Sequence, residues 1–404
     1  MSKDPIHIAY GIHVTDPEWD YALYAGVSAT SLLKNATGPV VLHILTDESL
    51  TEEYRKKFLL LASKYNQQIF FYDADVICRN AIHDMGQHLS EFFQQWYGLG
   101  CLYRIFLPDV LPQEVNRCIY LDCDTIVNLD IRTLWEETTG INGLGAVAEN
   151  ESCEGPSEYE SLIRGICKRG IFRNDIRIEK MVPFIDYFNS GVLLMDLDVI
   201  RHRDKSIAEC TVDFLSGFPD SSYPEQDALN IIFSEEYNKL SEKYNTFVDQ
   251  EIFVKRRRVI EPRIYHYIVR GLRPNLSIPQ FKLFFSYFDE SPWHDEVFYY
   301  SWALKENQIL VKTFYALAGK KRVFYASSND RTQLEKVIRL QKEELFIDNE
   351  NEDCLNTLFR IMEDEKGKSC FIVIDYDYSN MRRLLTEKGF KEFDDFVDGR
   401  VFLY

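Results

Sequence analysis

Apolar runs and amphipathic stretches alternate along the first part of the chain. Short apolar runs at 6–11, 39–47 and 68–73 predict buried strands, and apolar residues at helical spacing over 21–35 and near 51–65 predict helices between them. Strands that alternate with helices indicate a parallel sheet with crossover connections. The predicted fold class is therefore α/β with a mostly parallel sheet.

More elements of the same kind are predicted before residue 279. Apolar spacing predicts a helix at 100–111, and apolar runs predict strands at 117–125, 144–150 and 190–198. The segment 151–183 is polar and has weak periodicity. We interpret it either as a loop with short helices over the strand ends or as a surface insertion.

Near residue 279 the sequence becomes rich in aromatic side chains, and this change in composition predicts a domain boundary there. Residues 281–321 are rich in aromatic side chains and read as helical. Short apolar runs then predict the strands of a small α/β unit, at 322–327, 344–349, 371–376 and 400–404. We predict one domain over 1–278 and an add-on domain over 279–404. Packing of the aromatic helices against the first domain is favoured over a peripheral membrane anchor.

Composition narrows the class of protein. The 404 residues carry a net charge of −18, which argues against general nucleic-acid binding because a phosphate backbone is held by clustered cations. The nine cysteines are odd in number and form no CxxC pair, so neither a disulfide framework nor a zinc site is indicated. No secretion signal and no apolar window of about 18 residues is found, and we expect a cytoplasmic protein.

Two carboxylates lie where a predicted strand ends, in the stretch YLDCDT (120–125). Burying an unpaired carboxylate is costly, so Asp122 and Asp124 together favour a bound cation. Strand alternation would send both side chains to the same side. Oxygen ligands favour Mg²⁺ or Mn²⁺, and such a cation would neutralise a diphosphate leaving group. The alternative is an ordinary turn with two solvated aspartates.

Three more motifs follow the acidic pair. They are YFNSGVLLMDL (187–197), YPEQDALN (223–230) and YHYIVRGLRP (265–274). In this order the four motifs resemble glycosyltransferase family 8, retaining enzymes that have the Rossmann-like GT-A fold and use UDP-sugars. The resemblance covers residues 5–275 and implies a UDP-sugar donor and a divalent metal.

The resemblance implies a metal site and assigns its residues. Asp122 and Asp124, with Cys123 between them, match the DxD motif that holds Mn²⁺ against the UDP diphosphate, and Mg²⁺ is the alternative ion. His266 matches the histidine that supplies a third protein ligand. An imidazole is acceptable to Mn²⁺ as a borderline ligand.

Further matches concern the phosphates and the donor sugar. Gly271 and Arg273 match the stretch that holds phosphate, where the family usually has Lys in place of Arg. Arg keeps the charge and adds a fork that suits phosphate. Arg104 matches an arginine that touches sugar and phosphate, and Asn189 matches a residue near the sugar ring. Gly191 would permit a close approach of the backbone.

The stretch YPEQDALN departs from the family pattern. Relatives commonly carry QDQD, in which the first Asp binds sugar hydroxyls and the second Gln lies beneath the anomeric carbon. Here Glu225 and Gln226 occupy those two positions. Glu reaches about one methylene further than Asp, so the sugar preference of this chain is expected to differ from that of relatives with Asp.

The resemblance also assigns four residues near the N-terminus to the nucleotide. They are Ala9, Tyr10, Asp20 and Tyr21. Tyr21 would stack on uracil, and Asp20 stands where an Asn usually binds the base or ribose. The link at 11–19 is longer than usual, so the choice between His13, Asp16 and Asp20 as the residue that meets the nucleotide stays open.

The implied reaction moves a hexose from UDP to a sugar hydroxyl with retention, which gives an α-linkage. The acceptor is a glycan or a partly glycosylated protein, and the resemblance favours galactose over glucose as the donor sugar. Because Gln is a poor nucleophile, attack on the face from which UDP leaves is favoured over a covalent intermediate on Glu225 or Gln226. The add-on domain is similar to that of bacterial enzymes that extend glycans on serine-rich adhesins.

Two other classes of function stay open at this point. A metal-dependent nucleotidyltransferase or phosphatase would also need carboxylates, but a phosphate loop of the form GxxxxGK[ST] is absent from the sequence. A non-catalytic sugar- or partner-binding module would have no need of the metal residues, and their presence argues against it.

Overall fold

The structure is a computed structural model that describes most of the chain. The described residues are 4–14, 20–89, 99–138, 140–141, 143–148, 187–219, 221, 223–233, 236–248, 251–252, 255, 257–267, 278–295, 308–337, 344–351, 353–375 and 378–403. The segment 151–183, interpreted from the sequence as a loop or an insertion, lies outside them.

The chain divides into two compact units. Unit 1 is Met1–Leu272 with Leu283–His294, and unit 2 is Arg273–Lys282 with Asp295–Tyr404. The boundary expected between residues 278 and 279 lies inside the stretch over which the chain alternates between the units. The two domain ranges therefore stay a prediction.

The strands fall into three sheets. In chain order they are β1 Ile6–Ile12, β2 Val40–Thr46, β3 Gln68–Asp73, β4 Arg117–Leu121, β5 Thr125–Val127, β6 Leu144–Ala148, β7 Phe188–Asp196, β8 Asn238–Lys239, β9 Thr246–Phe247, β10 Ile264–His266, β11 Lys321–Ala326, β12 Leu345–Asp348, β13 Ser369–Val373 and β14 Phe396–Asp398.

The helices are mostly short. The α-helices are α1 Tyr21–Asn35, α2 Glu52–Lys64, α3 Ala74–Ile77, α4 Arg79–Gly86, α5 Leu107–Val110, α6 Arg132–Glu137, α7 Leu197–Arg201, α8 Ile207–Gly217, α9 Pro224–Ile232, α10 Pro279–Glu290, α11 Ser328–Val337, α12 Cys354–Asp364 and α13 Tyr378–Glu387. The described 3₁₀ helices are Leu99–Phe106, Glu242–Tyr244 and Gly399–Leu403. Residues 308–317 are also helical. Among the described residues, no helix has the length and apolar character needed to cross a bilayer.

A seven-stranded sheet forms the centre of unit 1. Its strand order is β3-β2-β1-β4-β7-β6-β8, and β7 runs antiparallel to both of its neighbours while the other pairs are parallel. Strands β1 and β2 are buried almost throughout, which is why they read as continuous apolar runs. The chain leaves β1 on one side for β2 and β3 and returns on the other side as β4. The strand order therefore reverses between β1 and β4.

A small three-stranded sheet lies beside this reversal point. Its order is β5-β10-β9, with β10 antiparallel to β5 and parallel to β9. Strand β5 begins directly after the acidic turn, and its Thr125 pairs with His266 of β10. The pairing brings two distant sequence motifs to one place.

Unit 2 contains a four-stranded parallel sheet of order β12-β11-β13-β14. Buried apolar side chains of this sheet and of α12, among them Val323, Phe371 and Leu358, form its core. The mostly parallel α/β fold class predicted from the sequence is confirmed in unit 1, and unit 2 is also α/β.

Some predicted elements differ from the structure in their bounds or type. The strand expected over 117–125 ends at Leu121, and the helix expected over 100–111 is a 3₁₀ helix followed by α5. Helix α9 begins at the stretch YPEQDALN, and Pro224 occupies its first turn. The strand predicted at 400–404 is wrong, because Gly399–Leu403 is a 3₁₀ helix. The Arg400 N–H donates to Asp398 Oδ1 (3.0 Å), which turns the chain out of β14.

Candidate active site

Three side chains meet at the carboxyl ends of the strands, where the strand order of the large sheet reverses. Crevices of this kind are where open α/β sheets bind ligands. One ligand atom from each of Asp122, Asp124 and His266 lies within 4.8 Å of the others. His266 Nε2 is 3.2 Å from Asp124 Oδ1 and 3.8 Å from Asp122 Oδ2. The structure thus brings together all three predicted metal ligands, and their role as ligands stays a prediction.

The acidic pair is held by a turn and not by a strand. The Asp122 N–H donates to the Gly191 carbonyl of β7 (2.7 Å), and the Thr125 hydroxyl donates to the Asp122 carbonyl (2.8 Å). On the other side, the Tyr267 N–H donates to the Asp124 carbonyl (2.9 Å). The expectation that strand alternation directs the two carboxylates is therefore wrong. The turn is fixed between β7 and the end of β10.

His266 is oriented by a neighbour that the sequence did not indicate. Its Nδ1 lies 3.0 Å from Asn245 Oδ1, so we assign the Nδ1 proton to this hydrogen bond. Nε2 is left facing the two carboxylates. Burial lowers the pKa of His266, but the charges of Asp124 and Asp122 outweigh it and raise the pKa above its ordinary value.

Gly191 leaves the space in which these groups converge. A Cβ atom built on it would lie 2.4 Å from His266 Cε1, 2.8 Å from Asp122 Oδ2 and 2.9 Å from Asn189 Oδ1. Any side chain here would displace the cluster, so the position requires glycine. A close approach of this backbone to a ligand stays a prediction. Two carboxylates and an imidazole with its other nitrogen engaged form a donor set that fits Mn²⁺ or Mg²⁺.

Arg104 is buried and holds the other oxygen of Asp122. Its Nη2 lies 2.8 Å from Asp122 Oδ1, and its Nη1 donates to both the carbonyl and the hydroxyl of Ser190 (2.7 Å each). Nε donates to the Cys101 carbonyl (2.9 Å). Burial lowers the pKa of Arg104, but Asp122 and its other neighbours raise it overall. The anionic partner expected for this buried arginine is therefore Asp122 itself, whose Oδ2 remains directed at His266.

Gln226 is locked by hydrogen bonds on both ends of its amide. Its Oε1 accepts from Asn189 Nδ2 (3.0 Å) and from the Ser190 N–H (2.9 Å), while its Nε2 donates to the Tyr187 hydroxyl (2.9 Å). The amide thus has a single orientation. A group held in this way is a positioned dipole and is poorly placed to act as a nucleophile.

A chain of amides connects Gln226 to the imidazole. Asn189 Oδ1 accepts from the Gly191 N–H (2.8 Å) and from Asn245 Nδ2 (2.8 Å), and Asn245 in turn contacts His266. Asn189, predicted to lie near the sugar ring, is therefore a central member of the network. Asn245, Ser190 and Tyr187 were not predicted as site residues. Two of them stand inside the quoted motif YFNSG, but Asn245 precedes β9 without any motif of its own.

Glu225 is buried in the first turn of α9 with an unused acceptor. Among the described residues, its Oε2 has no hydrogen-bond partner. Burial raises the pKa of Glu225 to about 7, although the charge of Arg104 opposes the shift. A buried carboxyl group with a free oxygen is suited to receive a donor from a ligand, and its assignment to sugar hydroxyls stays a prediction.

Ala9 and Tyr10, assigned to the nucleotide by resemblance, are fully buried in β1. The Tyr10 hydroxyl hydrogen-bonds Ser28 Oγ (3.0 Å) inside the core, so contact of these two residues with a ligand would have to come from the main chain. Two residues further along β1, the Gly11 carbonyl accepts from Cys123 Sγ (3.3 Å). The end of β1 thus touches the acidic turn.

Asp20 and Tyr21 begin helix α1. The Asp20 carboxylate accepts from the Leu23 N–H (2.9 Å), as an N-cap does, and from the Tyr54 hydroxyl (2.7 Å). Tyr21 is half-buried. Three other predicted contacts lie outside the described residues: Asp16, Gly271 and Arg273. His13, the remaining candidate for the nucleotide, lies beyond β1 and contacts Asp47.

Comparison with known proteins gives a family match over most of unit 1. A family model described as glycosyl transferase family 8 matches residues 15–271. General stress protein A of Bacillus subtilis (strain 168) is 27% identical over 252 residues, which cover 61% of this chain and 75% of the relative. Lipopolysaccharide 1,2-glucosyltransferase of Escherichia coli (strain K12) is 24% identical over 312 residues, 73% of this chain and 81% of the relative.

Solved structures share the fold. The apo structure of the bifunctional glycosyltransferase WbbM superposes with a TM-score of 0.50 at 15% identity and covers 74% of this chain and 51% of that chain. At this identity the likeness concerns the fold alone. It agrees with the mostly parallel α/β sheet of unit 1.

Proposed function

The chain belongs to glycosyltransferase family 8, and from this premise we propose that it transfers a hexose from a UDP-sugar to a hydroxyl of a glycan acceptor with the help of a divalent metal. The observation that carries the proposal is the convergence of Asp122, Asp124 and His266 at the point where the strand order reverses. A binding module without catalysis would have no need of this arrangement.

Mn²⁺ is the proposed ion, with Mg²⁺ as the alternative, and the two aspartates and the imidazole would hold it. Bound there, the ion would neutralise charge on the diphosphate and favour its departure. The protein keeps these ligands in place through separate contacts. Arg104 holds Asp122 Oδ1, and Asn245 holds the proton of His266 Nδ1. Asp122 and His266 therefore present their other atoms, Oδ2 and Nε2, to the space shared with Asp124.

Transfer with retention is proposed to occur on one face of the sugar. The bond from the anomeric carbon to the UDP oxygen breaks, the acceptor hydroxyl oxygen bonds to that carbon, and the leaving phosphate oxygen takes the hydroxyl proton. The locked amide of Gln226 supports this account, because its oxygen already accepts two hydrogen bonds. Detection of a glycosylated Glu225 or Gln226 by mass spectrometry would contradict it.

The donor is proposed to be UDP-galactose or UDP-glucose, with galactose favoured by the family resemblance. The relative named as a 1,2-glucosyltransferase supports a hexose but points to glucose. Glu225 would meet the sugar hydroxyls through its free Oε2. The Glu side chain is longer than the Asp side chain of relatives, so its carboxyl group would reach a different hydroxyl of the sugar. A donor screen is the way to identify the sugar.

The acceptor is proposed to be a glycan or a partly glycosylated protein, of the kind found on serine-rich adhesins, with unit 2 contributing to its binding. Residues 283–294 belong to unit 1, where Trp293 packs on Phe58 (ring centroids 4.6 Å apart). A truncation that tests the role of unit 2 should therefore remove residues 295–404. Unchanged acceptor affinity in that truncated protein would count against the role proposed for unit 2.

The experiment that tests the proposed function is a donor screen that reads UDP release in the presence of Mn²⁺ and after its removal with EDTA. We expect release from one UDP-hexose above all others and its loss with EDTA. Nucleoside triphosphates and phosphomonoesters serve as the competing substrates. Turnover of these, or absence of release from every UDP-sugar, would overturn the proposal.

A further inference from the structure

One helix of unit 2 exposes a row of apolar side chains. In helix 308–317, the side chains of Val311, Phe314 and Tyr315 are 52%, 61% and 76% exposed. Ala318, directly after the helix, is exposed as well. The spacing of i, i+3, i+4 and i+7 puts these four residues, the apolar stripe, on one face. A contiguous apolar row on the surface of a folded unit indicates an interaction surface.

The opposite face of the same helix packs into unit 2. Thr313 and Ala316 are buried, and Ala316 belongs to a core cluster that includes Phe324 and Ile372 of the four-stranded sheet. The helix is therefore attached to the unit by its other face. The apolar stripe is not needed for that attachment.

The helix that precedes it along the chain differs. For the aromatic-rich residues 281–321 the sequence favours packing over a membrane anchor, and the rings of α10 are indeed buried, among them Phe284, Phe285 and Phe288. Phe284 packs on Tyr267 of unit 1 (ring centroids 5.6 Å apart). Helix 308–317 instead presents its rings to the solvent, so it is the one that has an apolar face for a partner.

The sequence around the apolar stripe is cationic. Residues 308–322 contain no Asp or Glu and carry four cations, although the whole chain has a net charge of −18. One of them, Arg322, pairs with Glu344 inside unit 2. The other three are Lys312, Lys320 and Lys321. Three lysines beside an exposed apolar face favour a partner that is apolar and anionic.

A cavity of about 360 Å³ opens beside the apolar stripe. The described residues that line it are Lys312, Tyr315, Ala316, Lys320, Phe393 and Asp394. Lys312 Nζ lies 5.7 Å from the centre of the Phe393 ring, and Lys320 Nζ donates to the Asp394 carbonyl (2.5 Å). Two ammonium groups outnumber the one carboxylate of this lining. The cavity thus suits an anionic group that is attached to an apolar body.

Two kinds of partner would cover an apolar stripe flanked by lysines: a second copy of this chain or an anionic lipid surface. A second copy joined through the same stripe would bring the lysines of both copies together, and like charges oppose that contact. An anionic bilayer instead pairs its headgroups with lysines and takes up aromatic rings below them. Tyr315 suits this boundary because a tyrosine hydroxyl stays in water while its ring is buried. The charges therefore favour the lipid surface.

On these grounds we propose that helix 308–317 docks unit 2 on an anionic membrane surface. The apolar stripe enters the headgroup region, and the cavity beside it takes a lipid phosphate. The contact is peripheral, since no helix in the described part of the chain is able to cross a bilayer. It lies outside residues 15–271, which match the family, and it does not depend on the proposed transfer reaction.

The test measures co-sedimentation of the full chain with vesicles, without donor or Mn²⁺. The vesicles contain phosphatidylcholine alone or phosphatidylcholine mixed with phosphatidylglycerol. We expect the wild type to bind the mixed vesicles at low salt and to lose most of this binding at about 1 M NaCl, where charges are screened beyond roughly 3 Å. Weak binding is expected on phosphatidylcholine alone.

The first variant removes the two exposed rings. Phe314→Ser combined with Tyr315→Ser should weaken binding to the mixed vesicles at least about 10-fold, because two aromatic side chains no longer enter the interface. Leu60→Ser is the matched control, because Leu60 of α2 in unit 1 is 62% exposed. That variant should keep the wild-type affinity.

The second variant separates charge from apolar contact. Lys312→Glu combined with Lys321→Glu should weaken binding to the mixed vesicles at least about 10-fold and leave the weak binding to phosphatidylcholine unchanged. All four substituted side chains are exposed, and thermal unfolding of each variant checks that it is folded. Light scattering of the free protein reads its oligomeric state.

Several outcomes would overturn the inference. They are a wild type that binds neither kind of vesicle or binds both equally, and a Phe314/Tyr315 double variant that keeps the wild-type affinity. A wild-type dimer that is lost in the same double variant would assign the apolar stripe to a second copy instead. UDP release measured without vesicles tests the proposed function separately, so the two fail independently.

Discussion

The seven-stranded sheet of unit 1 and the four-stranded sheet of unit 2 differ in the charges found at their strand ends. In unit 2, Asp398 pairs with Arg400 through two guanidinium nitrogens (2.9 and 3.0 Å) at the end of β14. In unit 1, the partly buried carboxylates of Asp122 and Asp124 and the buried carboxyl group of Glu225 lie around one guanidinium and one imidazole. The end of one sheet thus has one carboxylate paired with one guanidinium, and the end of the other has more carboxyl groups than cationic side chains. We attribute the excess to a site built for a cation.

The largest effect on activity is expected when one carboxylate of the acidic turn is neutralised. Asp124→Asn should lower the rate of Mn²⁺-dependent UDP release about 10³-fold, or about 4 kcal/mol, because the leaving diphosphate loses its neutralisation. The matched control is Asp348→Asn, at the end of β12 in unit 2, where Asp348 accepts from Ser328 Oγ (3.0 Å). That variant should keep the wild-type rate. A tenth or more of the wild-type activity in Asp124→Asn would contradict the comparison.

Removing the cation of the Asp398–Arg400 pair should lower the stability of unit 2 and should not change Mn²⁺ affinity. Arg400→Met leaves Asp398 buried without its cation, which should lower the free energy of unfolding of unit 2 by about 3 kcal/mol in urea denaturation. The control is Arg331→Met, since the half-exposed pair of Arg331 with Glu335 should contribute under about 0.5 kcal/mol. A loss of Mn²⁺ affinity in Arg400→Met would show that the two ends are not independent.

The buried carboxyl group of Glu225 should make the stability of the metal-free protein depend on pH. The pKa of Glu225 is raised from 4.5 to about 7 by burial, so the folded state holds this proton more tightly than the unfolded state. The associated stability is complete below about pH 4.5 and is lost as the pH rises through about 7. Glu225→Gln should therefore be more stable than the wild type at pH 8, by up to about 3 kcal/mol, with little difference near pH 4.5. Denaturation curves showing an equal gap at both pH values would exclude this explanation.

A smaller effect is expected from the residue that orients the imidazole. Asn245→Leu removes the acceptor for His266 Nδ1–H and should weaken Mn²⁺ binding about 10- to 100-fold, measured from the paramagnetic resonance of the free ion. Asn245→Asp keeps an acceptor and should recover part of the affinity. Equal affinity in wild type and Asn245→Leu would remove Asn245 from the site.

The sequence predicted best those elements whose environment is simple. Strands β1 to β3 are parallel strands beside one another, and helix α1 has a clear cap, so their apolar patterns mark their limits within a residue or two. The apolar residues on both sides of the acidic triplet predict a single strand over 117–125. In the structure it is two strands in different sheets, a distinction that depends on the partner β10 and not on local pattern.

The residues of the candidate site also divide into those that local motifs predict and those that depend on partners distant in the sequence. Residues that belong to motifs, such as Asp122, Asp124 and His266, lie together as the motif order implied. Residues that act through another side chain were missed, because nothing in the sequence links Asn245 to His266 before the strands are assembled. Asp20 belongs to a motif and also has a structural role that the sequence did not indicate: its carboxylate caps α1, while its contact with a ligand stays a prediction.

The central claim is that one divalent ion lies between the acidic turn and β10. The most direct test is an anomalous-scattering map from crystals grown with Mn²⁺ and UDP. The account predicts one strong peak bonded to the side chains of Asp122, Asp124 and His266 and to the diphosphate. A peak bound elsewhere, or one to which the imidazole of His266 is not bonded, would contradict it.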